Sequence, residues 1–156
     1  MIKFLNLIVL FSFLIFSPKL FANKMWEFVK DTEYCYIQSI PIETKIPEGK
    51  MRGKHGILVY RMHKDTELFV QITAGFDYKS SDSITVKIDD NDYSFYTDED
   101  TAWAEEDKKV INAMRRGLSF ITTGVSSKGT KVIDTYTLKG FMVAINKFIL
   151  IRNIVM

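Results

Sequence analysis

The chain has 156 residues, 47% of them hydrophobic and 26% charged, with 21 basic and 19 acidic side chains and one cysteine. Lys3 and Lys19 fall in the first 22 residues and no acid does, so the net charge of +2 resides there and the remainder is balanced. A near-neutral domain gives no electrostatic case for nucleic-acid binding, which needs clustered Lys and Arg, and the length supports one domain with a real core.

The chain opens with the basic start Met1–Lys3, an apolar run from Phe4 to Phe16 broken only by Asn6 and Ser12, and the small and turn-forming residues Ser17–Ala22. That is the layout of a secretory signal peptide over residues 1–22, with cleavage expected after Ala22. The run is shorter than the roughly 20 residues of a membrane-spanning helix. Residues 23–156 are then expected to form a single β-rich domain. In an oxidising compartment cysteines usually pair, so Cys35 is free, buried or bonded to another chain; inside Tyr34-Cys35-Tyr36-Ile37 burial is the expectation.

The domain starts with Trp26, Phe28 and Val29 at near-alternating spacing, and Tyr34–Ile40 reads as a strand stopped by Pro41. Pro41–Lys54, with two prolines, Gly49, Gly53 and six charges, reads as a long irregular loop, mobile or put to some use. Gly56–Met62 and Glu67–Ala74 are strands joined at hairpin length by His63–Thr66. Gly75 to Tyr78 breaks the pattern, and Ile84, Val86 and Ile88 alternate with Thr85 and Lys87 as a half-buried strand. Asp89 to Asp92 has turn chemistry, since Asp and Asn tolerate left-handed backbone, and Tyr93–Tyr96 returns as the partner strand.

The period then changes. Val110, Ile111 and Met114 recur at helical spacing, acids stand in front and Arg115 and Arg116 behind, so a helix is expected over Glu105–Arg116, with Gly117 as its C-cap and Trp103 as a packing anchor before it. Leu118 to Ile151 reads as strand, tight turn at Ser127–Gly129, strand, a hinge at Gly140 and a last helix apolar on both faces. In the second of those strands Val132, Asp134 and Tyr136 share a face, where Asp134 is the exception. Strands in succession with two short helices in the last third imply a mainly β fold, an antiparallel β-sandwich or flattened barrel.

Chemical motifs are few. Gly124 to Gly129 has the glycine spacing of a phosphate-binding loop, but Thr130 and Lys131 follow in the wrong order and lead into a strand, so a hairpin turn is the reading. Asp89–Asp107 holds nine carboxylates without the sixth-position glycine of an EF-hand loop. His55 and His63, separated by a strand at about 3.3 Å per residue, stand too far apart to share a metal or form a catalytic pair. No catalytic, metal-binding or cofactor-binding residues are assigned. Aromatics, at 13%, lie on or beside the expected strands, where packing and cross-strand pairing use them; an exposed aromatic patch would instead mark a partner site.

Taken together, an ordered set of short motifs carries a resemblance. It runs through Trp26, Asp31, Tyr34-Cys35, Arg52-Gly53, Gly75-Phe76, Ala102-Trp103-Ala104 and Met114-Arg115-Arg116-Gly117, then Gly129-Thr130, Asp134-Thr135-Tyr136 and Leu138-Lys139-Gly140-Phe141. This order resembles the invasion-associated locus B family of exported Gram-negative bacterial proteins, over about residues 26 to 146. The resemblance implies a periplasmic, outer-membrane-associated or secreted protein with a part in host-cell entry, and it implies no catalytic residues; the expected activity is non-enzymatic binding, without a cofactor, to a protein or cell-surface component. An envelope maintenance or stress factor, or a hydrolase with scattered residues, stays open as an alternative, as do peripheral membrane association and the oligomeric state. Family members often carry a second cysteine near the C-terminus that could bond Cys35. This chain has none, forgoing about 3 kcal/mol of loop-closure stabilisation if that bond is usual.

Overall fold

Period-two alternation becomes one sheet. The computed structural model describes residues 25–30, 34–62, 67–79 and 83–152. Its strands are β1 (Glu27–Lys30), β2 (Tyr34–Ser39), β3 (Glu43–Lys45), β4 (Gly56–Met62), β5 (Phe69–Thr73), β6 (Ile84–Ile88), β7 (Asn91–Asp98), β8 (Thr101–Ala104), β9 (Ser119–Val125) and β10 (Lys131–Thr137). The helices are α1 (Asp107–Arg116) and α2 (Phe141–Arg152). All ten strands pair antiparallel in the order β1-β2-β4-β5-β8-β7-β6-β9-β10-β3, a sheet curled into a half-barrel. The flattened-barrel form of the expected mainly β fold is therefore the one adopted, with both helices in the last third.

Alternation decides which side chains enter the curl. Cys35 and Ile37 of β2, Val59 of β4, Val70 and Ile72 of β5, Phe95 of β7, Phe120 of β9 and Tyr136 of β10 are all buried on the concave face. Burying a side chain of this size contributes roughly 1.5–3 kcal/mol. Phe120 sits between Phe95 and Tyr136 in edge-on contacts of 6.2 and 6.1 Å between ring centres. The helices close the open side: α1 buries Val110, Ile111 and Met114, and α2 buries Phe141, Ala144 and Ile145.

A seam joins the two ends of the sheet. The Trp26 indole N–H donates to the Thr137 carbonyl at 2.9 Å, and its ring meets Phe141 edge-on at 5.0 Å. Ser39 Oγ donates to the Met25 carbonyl at 2.7 Å, and the Ile42 amide to the Thr135 carbonyl at 2.8 Å. The first residues of the domain are thus fastened to its last strand and last helix.

Three local expectations are revised. The loop Pro41–Lys54 contains β3, an exposed Glu-Thr-Lys strand that exists because the edge of β10 offers it hydrogen bonds. Trp103 belongs to β8, whose alternation over four residues is too brief to stand out beside acidic turns. Gly117 is the C-cap of α1, as expected, its amide donating to the Ala113 carbonyl at 2.8 Å, but its φ of −81° and ψ of 168° are extended rather than left-handed. A glycine stands there for room, since a Cβ would come within 3.0 Å of Asp89 Oδ2, Ile88 and Leu138. The turn glycine Gly129 and the hinge glycine Gly140, by contrast, have φ of 78° and 89°. The hairpin link His63–Thr66 lies outside the described residues, as does the leader.

Candidate functional site

The polar exception on β10 is explained by a residue from the loop after β3. Asp134 points into the curl, and Arg52 reaches it with two charge-assisted hydrogen bonds, Nη1 to Oδ2 at 2.7 Å and Nη2 to Oδ1 at 2.6 Å. Both side chains are only 6% exposed. Thr44 Oγ1 donates to Asp134 Oδ1 at 2.7 Å and accepts from Arg52 Nη2 at 3.0 Å. Arg52 Nη1 also donates to the Ala74 carbonyl at 3.2 Å. Removing two ions from water costs several kcal/mol each, and the forked geometry with further partners is what offsets such a cost.

That cluster sets the height of the neighbouring loop. The Gly53 amide donates to the Gly75 carbonyl at 2.8 Å. Gly75 has φ +74°, and a Cβ there would lie 2.6 Å from the Gly53 oxygen. The two backbones touch, and it is at Gly75 that a side chain would hold them apart, whereas a Cβ on Gly53 would come no nearer than 3.5 Å to its neighbours. His55 Nδ1 stands 2.9 Å from the Gly53 oxygen. His63 lies outside the described residues.

Two phenols flank the ion pair. Tyr78 and Tyr136 are buried, and burial first, then the Asp134 charge, pushes both hydroxyls well above their ordinary range. The Tyr136 hydroxyl has no hydrogen-bond partner among the described residues. Tyr78 meets Phe76 edge-on at 5.4 Å, and both rings lie where a Cβ on Gly124 would sit, 3.0 Å away. Above this floor opens a cleft of about 450 Å³ between the β3–β4 loop, the Gly75–Asp77 turn and the β9–β10 turn. Arg52, Gly75, Phe76, Lys128 and Thr130 are among its walls.

Of the residues singled out in the sequence, Arg52, Gly53, Gly75, Thr130, Asp134 and Tyr136 gather in or beneath this cleft, with Gly129 in the turn at its rim. Trp26, Gly140 and Phe141 form the seam. Cys35 is fully buried in β2 and Gly117 packs against the β6–β7 turn. Thr44, Tyr78 and Ser126, the last a buried residue of the cleft wall, were not legible as members; the one signal was the polar Asp134 on an inward face.

Trp103 lies on the outer face. There Tyr36 pairs with Tyr60 and Tyr60 with Phe69, while Trp103 pairs with Gln71 and Tyr96. Tyr60 stacks on Phe69 at 5.4 Å and meets Trp103 edge-on at 5.9 Å. Tyr96 is 49% exposed and Met62, on the same face, 43%. Among the described residues no three His, Cys, Asp or Glu side chains gather to hold a metal ion.

Fold and site together define a single-sheet half-barrel, closed by two helices, with a cleft floored by a buried ion pair and an aromatic outer face. The chain belongs to the invasion associated locus B (IalB) protein family, whose model matches residues 28–148. No match was found among curated proteins or among solved structures.

Proposed function

We propose that this chain is a non-enzymatic binding protein, exported to the envelope or beyond, that engages a protein on its outer sheet face. The observation carrying this reading is the aromatic row on β2, β4, β5, β8 and β7. An antiparallel sheet with one face in water ordinarily alternates apolar with polar residues, and here the outward positions hold Tyr36, Tyr60, Phe69, Trp103 and Tyr96. Large aromatics half open to solvent are the side chains that dominate protein interfaces. The leader-like residues 1–22 support export, and the family's description makes a host-cell surface protein the first partner to test.

Labelled protein applied to host cells tests the reading. Substituting Tyr96→Ser with Met62→Ser leaves the core untouched and is expected to weaken binding at least about tenfold, the scale of one interface hot spot. Unchanged binding by the double variant would remove the outer face from the proposal. Saturable turnover of a substrate would overturn the non-enzymatic reading.

A further inference from the structure

The sheet ends in two edges. One, β1, has α2 packed against it. The other, β3, is bonded on one side to β10 and, among the described residues, to no strand on the other. All three of its residues are exposed, with the Glu43 and Lys45 side chains at 58% and 68%. An edge strand presents unpaired backbone N–H and C=O groups that a second strand can take up.

The chemistry of this edge is the same in both directions. The segment is Pro41-Ile42-Glu43-Thr44-Lys45-Ile46-Pro47, with a charge, an isoleucine and a proline on each side of Thr44 and the two charges opposite in sign. Laid antiparallel to itself about a two-fold axis at Thr44, the strand sets Glu43 beside Lys45 of the second copy and Lys45 beside its Glu43. Ile42 and Ile46 of the two copies follow at the ends, and the prolines, which have no N–H to donate, stop the ladder there.

Other registers lose this match. In-register parallel pairing sets Glu43 against Glu43 and Lys45 against Lys45, and an antiparallel axis at either charged residue sets like against like. A shift of one residue joins the inner face of one copy to the outer face of the other. A short, charged edge bounded by proline is ordinarily a guard against pairing. A guard opposes itself in every register, whereas this strand complements itself in one.

The strand is also held ready. Thr44 Oγ1 is bonded to Asp134 at 2.7 Å and to Arg52 at 3.0 Å, and the register with β10 puts Glu43 and Lys45 on the side of Thr135 and Ile133, away from the curl. The central residue of the contact therefore rests on the buried ion pair, so pairing has little left to order. Within one copy Glu43 and Lys45 meet at 3.7 Å, an exposed pair of small worth alone; across the axis the four charges alternate in a ring. A two-fold contact uses the same edge on both copies, so the assembly closes at two.

We propose that two copies of this chain associate through β3, antiparallel about Thr44, with Glu43 and Lys45 of each paired to Lys45 and Glu43 of the other. The contact is independent of the aromatic row, and it is short, so the dimer is expected to separate on dilution. Sedimentation equilibrium of the protein over a dilution series reads its dissociation constant. Lys45→Glu turns two attractions into two repulsions by symmetry and is expected to raise that constant at least about tenfold. Glu43→Lys with Lys45→Glu restores the alternation and is expected to bring the parent value back. Unfolding midpoints are expected to stay unchanged in both variants, since both side chains are exposed. A monomer at every concentration, a dimer that Lys45→Glu leaves intact, or a double variant no tighter than the single one would each overturn the proposal.

Discussion

Arg52 and Asp134, 82 residues apart in the chain, meet through a forked ion pair that is almost wholly out of water. Removing either partner strands the other's charge in the interior. Asp134→Leu or Arg52→Met alone is expected to cost about 3–5 kcal/mol, while the two together recover most of that loss. Urea midpoints of the two single variants and the double one measure the coupling. Additive losses would show that the charges are solvated separately.

Gly75 and Gly129 share a left-handed backbone but not their surroundings. A Cβ on Gly75 meets the Gly53 carbonyl at 2.6 Å, and one on Gly129 meets nothing within 4 Å. Gly129→Ala is therefore expected to cost only the backbone term, about 1–2 kcal/mol. Gly75→Ala adds a backbone clash and is expected to cost clearly more. Thermal unfolding of the two variants side by side separates strain from contact.

Asp89 and Asp107 pull the acid limb in opposite directions. Amides of Ser119 and Leu118 hold the Asp89 carboxylate below its ordinary value of 3.8. A lowered folded-state value contributes stability that is complete above the unfolded value and lost as pH falls through the folded one. Asp89→Asn keeps the left-handed turn residue, so its cost is expected to be largest near neutrality and to shrink below about pH 4. Asp107 is raised, by burial first, against the Val70 amide that lowers it. Its folded form prefers the proton, so Asp107→Asn is expected to be neutral or stabilising near pH 7, the difference closing as pH falls. Stability curves from pH 2 to 8 check both signs.

Cys35 has no exposed surface. Thiol reagents are expected to label it slowly in the native protein and at once in denaturant, because the thiolate is the nucleophile and the electrophilic reagent must reach it. Fast native labelling would mean that β2 opens locally.

Much of the architecture was legible because it is local. Alternation at Gly56–Met62 and Ile84–Ile88 marks strands wherever one face is dry, and helical spacing of Val110, Ile111 and Met114 marks α1. The turn at Asp89 and the hairpin at Gly129 were legible from residues that accept positive φ. β3 was not, because Glu43, Thr44 and Lys45 are exposed and carry no periodic signal; only the edge of β10 makes them a strand. Nor was β8, where four residues are too few to set a period.

The sequence alone determined the β-rich class, the position of most elements and a family order of motifs, since these depend on spacing within a few residues. Tertiary structure decided that Arg52, Gly53, Gly75 and Asp134 are one assembly, and that an inward acid is balanced by an arginine from a loop. It also decided that Tyr60, Phe69 and Trp103 stand together on an outer face. Those relationships are set by strand order and register, which bring residues from distant parts of the chain within a few ångströms. Spacing along the chain carries no record of that.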